Sequence, residues 1–270
     1  MSIKDILVHL DQGERSKVRL QIAIELAQRH NARLIGLFAQ KAKSENVGLV
    51  SKWPSAEYVS AENICRIMFN EAIAGRVRAE WNDLNRGSDA AIVTGVTEFA
   101  RYADLVILGQ SNTRSEDYVP SELIEQVVIN SGTPVLVIPY VGEFTSAFKR
   151  PLIAWNNSRE AVHAIRDALP LLQGSDEAVI VSLDTRIDEA NSSCLAIAEH
   201  LYLHGVKSTT DTLQIVDIGT MDALLNKVSD CQSDLLVMGG HGHLGFPFFT
   251  QGAGTRHILK TMTVPVVMSN

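Results

Sequence analysis

Cysteine is scarce in this chain, as are aromatic residues, long apolar runs and any excess of positive charge. Three cysteines, Cys65, Cys194 and Cys231, are scattered through 270 residues without a Cys-x-x-Cys pair. That excludes a disulfide framework and leaves them as small core or near-surface residues of a reducing compartment. No apolar stretch approaches the ~20 residues a membrane helix needs, and Met1-Ser2-Ile3-Lys4-Asp5 enters a strand without a signal-peptide core, so a cytoplasmic protein with no membrane partner is expected. A formal net charge of -7 and a pI near 5.6 disfavour nucleic acid and anionic membranes as partners through bulk electrostatics. An anionic ligand would have to be gripped locally.

Catalytic signatures are missing too. Gly252-Ala253-Gly254-Thr255-Arg256 has neither the spacing nor the Lys of a phosphate-binding Walker A loop, and no Gly-x-Ser-x-Gly elbow occurs. No catalytic residue is therefore predicted, and a non-enzymatic protein is expected. Nor is a metal site. His241 and His243 are close in sequence, but the nearest upstream acid and thiol, Asp234 and Cys231, stand at or before the far end of the preceding strand.

What is present is enough apolar material for two cores: 46% hydrophobic and 20% charged residues, with a mean hydropathy of +0.06. The chain also repeats itself. Asp104-Leu105-Val106-Ile107-Leu108-Gly109 matches Asp234-Leu235-Leu236-Val237-Met238-Gly239 at an offset of 130 residues, and Thr133-Pro134-Val135 matches Val264-Pro265-Val266 at 131. The opening strands, ending at Asp11 and Asn156, are offset by 145, the difference being an insertion after Phe38 in the first copy. The period is that of a whole domain rather than of a solenoid.

In the first copy, Ile6–Asp11, Ala32–Phe38, Asp104–Gly109 and Thr133–Pro139 read as strands, and the apolar spacing from Leu20 as a helix closing near Arg29-His30-Asn31. Lys41–Ser60 reads as an inserted loop, Ala61–Leu84 as a long helix, Ala90–Gly95 as a weak strand and Val96–Tyr102 as a short helix. In the second copy, Leu152–Trp155, Ala178–Leu183, Thr212–Leu213, Ser233–Met238 and Val264–Met268 read as strands, with helices over Ser158–Leu172, Ser192–His204 and Met221–Val228. Tyr140–Arg150 serves as linker, giving domains 1–142 and 149–270. Strands alternating with helices predict an α/β fold of two tandem, doubly wound, five-stranded parallel sheets.

An apolar run ending in glycine reads as a buried strand whose carboxyl end lets a ligand approach the backbone. Gly239, two residues, Gly242, the nine residues His243–Gln251, and Gly252 follow that pattern. This spacing, before the Thr263-Val264-Pro265-Val266-Val267 strand, resembles the universal stress protein family in its tandem form, with Ala253 where the family has Ser or Thr. The resemblance implies an adenine nucleotide alpha hydrolase-like fold and a stress-response regulator. It also implies that the copies pack as an internal pseudo-dimer with Val135, Val137, Val264 and Val266 beside the interface. A homodimer of chains and an unknown protein partner are further expectations.

The family pattern is split between the copies. In nucleotide-binding relatives an Asp at the end of the first strand contacts the adenosine portion. The first copy keeps Asp11 but reads Gly109-Gln110-Ser111-Asn112, with Ser121-Glu122 at the terminal Gly-Ser position. It is expected to be structural, and Asp11 either touches ligand or caps the turn through Gly13. The second copy keeps the glycines, which either cradle a ligand or merely shape a tight strand-to-helix turn. Its expected ligand residues are Asn156, Gly239, His241, Gly242, Gly252, Ala253, Gly254 and Thr255, holding ATP or AMP, with Mg if ATP. Asn156 equally suits a turn into the next helix. The alternatives are a scaffold that binds no nucleotide and docks a partner through the loop between Phe38 and Ile64, or a weak nucleotide hydrolase.

Overall fold

The computed structural model describes residues 2–47, 50–111, 118–183, 187–213, 219–240 and 252–270. They divide into two compact units, Ser2–Ser146 and Ala147–Asn270.

The first unit runs β1 (Asp5–Leu10), α1 (Ser16–His30), β2 (Arg33–Phe38), β3 (Glu45–Val47), β4 (Val50–Lys52), α2 (Ala56–Ile73), β5 (Ala79–Asp83), α3 (Asp89–Ala100), β6 (Leu105–Gly109), α4 (Leu123–Asn130) and β7 (Val135–Ile138). Its sheet has the order β5-β2-β1-β6-β7, every pair parallel. Ile6, Leu7, Val8 and Leu10 of β1 and Leu105–Leu108 of β6 are all buried, as central strands covered by helices on both faces require. Because β2 and β5 lie on one side of β1 while β6 and β7 lie on the other, the strand order reverses between β1 and β6. Ligands enter such sheets at that point, beyond the strands' carboxyl ends.

Two expectations for this unit are corrected. The strand lies at Ala79–Asp83, inside the expected long helix, and Ala90–Gly95 belongs to α3. The helix stops early because Ala74 and Gly75 both take left-handed backbone, at φ 32° and 77°. The strand Ala-Glu-Trp-Asn-Asp sits at the sheet edge with exposed or half-buried side chains, so it carries no apolar run to reveal it. In α3, Ile92, Gly95, Val96 and Ala100 are buried, which is helical spacing. Gly95 is bare because a Cβ there would stand 2.3 Å from Leu84 Cδ1.

The expected loop after Phe38 instead forms the antiparallel hairpin β3–β4 and leads into α2, which Ser55 caps by accepting from the Tyr58 N–H at 3.3 Å. Phe38, Tyr58, Ala61 and Cys65 form a buried cluster, with Trp53 and Trp81 packed against it. The Cys65 thiol has its pKa pushed up to about 12, chiefly by burial, which suits an inert core residue.

The second unit runs β8 (Pro151–Ala154), α5 (Arg159–Leu172), β9 (Ala178–Leu183), α6 (Ile187–Leu203), β10 (Ser208–Leu213), α7 (Thr220–Asp230), β11 (Leu235–Gly239), α8 (Ala253–Thr261) and β12 (Val266–Ser269). Its order, β10-β9-β8-β11-β12, repeats the first unit's, again with parallel pairs. Ser158 caps α5 by accepting from the Ala161 N–H at 3.2 Å. The equivalent reversal lies between β8 and β11.

Candidate functional site

In the second unit, β8, β11 and β12 bring Asn156, Gly239 and the start of α8 to one sheet edge. Their roles differ from one another. Asn156 is exposed, and its Oδ1 accepts from the Ser158 N–H at 3.2 Å, shaping the turn into α5. Gly239 ends β11, where a Cβ would stand 2.8 Å from the carbonyl carbon of Glu160 and 2.9 Å from the Ala161 nitrogen. Its bareness lets the first turn of α5 lie against the strand.

Gly252 takes left-handed backbone at φ 79° and heads α8, whose N-terminus carries no side-chain cap. Gly252, Gly254 and Thr255 are buried and Ala253 is half-buried. Gly240 N donates to Ser269 O at 2.7 Å, and the buried Ser269 hydroxyl, opposite Gly239 in the β11–β12 register, has no hydrogen-bond partner among the described residues. His241, Gly242 and His243 lie outside the described residues. His257 is paired with Asp222, Nε2 to Oδ1 at 2.8 Å. Among the described residues no group of three His, Cys, Asp or Glu side chains is placed to hold a metal ion.

The first unit, which its loop sequence reads as structural, contains a cavity of about 410 Å³ at the β1–β6 reversal. Asp11, Arg15 and Arg19 line it from β1's end and α1, Gln110 from the end of β6, Tyr140 from beyond β7, and Val119, Pro120, Leu123 and Ile124 from the approach to α4. This volume lies within the range of small-molecule sites.

Arg19 organises the floor. It is only 5% exposed, donates through Nη2 to Asp11 Oδ2 and, at 2.8 Å, to Ser16 Oγ, and through Nε to His9 O at 3.1 Å. Gly109 has no side chain because that guanidinium stands in its place, with Nη1 2.3 Å from where a Cβ would lie. Burial pushes Asp11's pKa up, but the Arg19 charge, the His9 ring and hydrogen bonds from Gly13 and Arg19 outweigh it and hold the carboxyl below its ordinary value. Asp11 thus serves both the turn and an internal ion pair: Oδ1 accepts from the Gly13 N–H at 2.6 Å and Oδ2 from Arg19. His9 donates from Nε2 to Ala39 O at 2.7 Å, and desolvation drives its pKa down to about 4 despite the opposing pull of Asp11, so the ring is neutral at pH 7. Glu122, at the first copy's terminal Gly-Ser position, is exposed, accepts from the Ser121 hydroxyl at 3.2 Å and is not among the residues lining the cavity.

Arg15 and Arg19 are the residues that motif reading passes over. Their signal was an arginine at Arg19 in the apolar helical pattern beginning at Leu20, eight residues after a strand-terminal Asp.

No protein-family profile matches the chain, and no curated protein matches it in sequence. Solved structures do match. A universal stress protein from Archaeoglobus fulgidus DSM 4304 superposes with a TM-score of 0.72 at 16% identity, covering 98% of both chains. This chain has the fold of a two-copy universal stress protein. A putative universal stress protein from Pseudomonas aeruginosa UCBPP-PA14 gives 0.59 at 14% identity, covering 99% of this chain and 93% of its own. A functionally unknown protein from Pseudomonas aeruginosa PAO1 gives 0.62 at 13%, covering 99% and 92%. Identities this low establish the fold and leave the activity to be argued from the sites.

Proposed function

We propose that this chain is a tandem member of the universal stress protein family, a non-enzymatic stress-response regulator whose second unit binds ATP or AMP, with Mg accompanying ATP. The observation that supports this most is the start of α8. Gly252 in left-handed backbone precedes a helix N-terminus with no side-chain cap, at the sheet edge where α/β folds take ligands. A helix start with its favourable dipole suits phosphate oxygens. The buried, unpartnered hydroxyl of Ser269 adds a donor at the same edge. Asn156 is occupied as an acceptor by Ser158, so its side-chain amide N–H, rather than a carboxylate, is what it offers adenosine.

Isothermal titration with ATP and with AMP tests the proposal. Saturable heat that Gly252→Val removes supports it, since a β-branched residue resists the φ of Gly252. Silence with both nucleotides favours a scaffold, and phosphate release by the unaltered chain but not by Gly252→Val points to a hydrolase.

A further inference from the structure

The cavity in the first unit is built for a charge of a different kind from a phosphate chain. Backbone amides around it already donate within the protein: Asp11 N to Ser16 Oγ at 3.1 Å, Gln12 N to Gln40 Oε1 at 3.0 Å and Gly13 N to Asp11 Oδ1 at 2.6 Å. The same holds on the opposite wall, with Gln110 N to Ile138 O at 2.8 Å and Tyr140 N to Gln110 Oε1 at 3.0 Å. No nest of unpaired N–H groups is left at these positions to wrap a pyrophosphate. The buried Arg19 guanidinium is neutralised by Asp11.

Arg15 is different. Its Nη2 donates to Pro139 O at 2.8 Å and Gly142 O at 2.9 Å, its guanidinium stands 6.0 Å from the Phe144 ring centroid, and its Nε is buried with no partner among the described residues. Among the described residues no carboxylate pairs with it. Glu14 also lines the cavity but is exposed and makes no ion pair with Arg15 among the described residues. An arginine fixed by neutral carbonyls at a cavity wall keeps its charge available to an anion. Val119, Pro120, Leu123 and Ile124 give the cavity an apolar portion of its lining.

We propose that the first unit binds a small organic monoanion, one carboxylate or sulfonate on an apolar body, with the anion held by Arg15 and the body seated on the Val119–Ile124 wall. The inference does not depend on nucleotide binding in the second unit, which uses a separate set of residues. A di- or triphosphate is a poorer fit, because one guanidinium would face several charges while the described amides of Asp11, Gln12, Gly13, Gln110 and Tyr140 are already engaged.

The test uses two fluorescent probes on the whole chain that share an apolar body and differ in charge: 8-anilinonaphthalene-1-sulfonate and the uncharged N-phenyl-1-naphthylamine. The sulfonate is expected to bind saturably, one per chain and at least tenfold more tightly than the neutral probe. Arg15→Gln should erase that difference, Arg15→Lys should retain most of it, and Val119→Trp should weaken both probes by filling the cavity from a half-buried position. Gly252→Val should change neither. Far-ultraviolet circular dichroism confirms that each variant is folded. Equal affinity for the two probes, a sulfonate preference that survives Arg15→Gln, or full displacement of the sulfonate by equimolar ATP in the Gly252→Val background would overturn the proposal.

Discussion

Arg19 shows how one side chain decides what a site can do. A buried guanidinium is tolerated only with its charge and donors satisfied, and here Asp11, Ser16 and the His9 carbonyl do so together. Removing one member strands the other. Arg19→Ala is expected to destabilise the first unit by about 3–5 kcal/mol, measured by urea unfolding at pH 7, and to lower the loss caused by a subsequent Asp11→Asn. His9 makes a prediction of opposite charge. Its folded pKa, about 4, lies below its unfolded value, so its contribution is fully present above pH 6.5 and is lost as pH falls towards 4. That window is worth about 3 kcal/mol by the free energy per pKa unit. His9→Gln keeps a donor for Ala39 without the titration, so its unfolding free energy should fall less steeply between pH 6.5 and 4. Identical slopes would contradict a neutral buried ring. Asp11, with its pKa also depressed, contributes at still lower pH and leaves this window unchanged.

At the scale of elements, glycines mark where helices press on strands. Gly36 on β2 lies under the Phe69 ring of α2, with Cε2 2.5 Å from where a Cβ would be, and Gly239 lies under the first turn of α5. The Phe69 ring can rotate away; the main chain of Glu160 and Ala161 cannot move without carrying α5. Gly239→Ala should therefore cost about 1–3 kcal/mol, as overpacking does, and the loss should appear in the absence of any nucleotide. A variant that loses nucleotide affinity at unchanged stability would instead identify Gly239 as a ligand contact. Some helix ends follow local chemistry. Ser158 caps α5, and Arg29 and His30 close α1 before Asn31 in left-handed backbone at φ 50°. The edge strand β5 was illegible, because Trp81 is its one large apolar side chain and no local rule separates it from the helix before it.

For the whole molecule, duplication gives two sheets' worth of strands in the same order but two unlike ligand edges. The second edge offers a glycine-headed helix start; the first offers a walled cavity with a fixed arginine. If ATP binds the folded second unit and not the unfolded chain, a concentration of 100 Kd should raise unfolding free energy by about 2.7 kcal/mol through mass action. Urea unfolding with and without nucleotide measures this directly, and Gly252→Val should abolish the increment. No increment at millimolar ATP would count against the nucleotide proposal.

By itself the sequence determined the repeat, the α/β class, most strand positions and the glycine frame around Gly239 and Gly252, because buried parallel strands and tight strand-to-helix turns restrict which residue types fit locally. Tertiary structure alone decided that Gly239 is bare for α5, that Asp11 is spent on Arg19, and that Arg15 lines the first unit's cavity with no ion-pair partner among the described residues. Those facts depend on which side chains from distant segments meet across the sheet edge, and spacing along the chain does not encode distance through space.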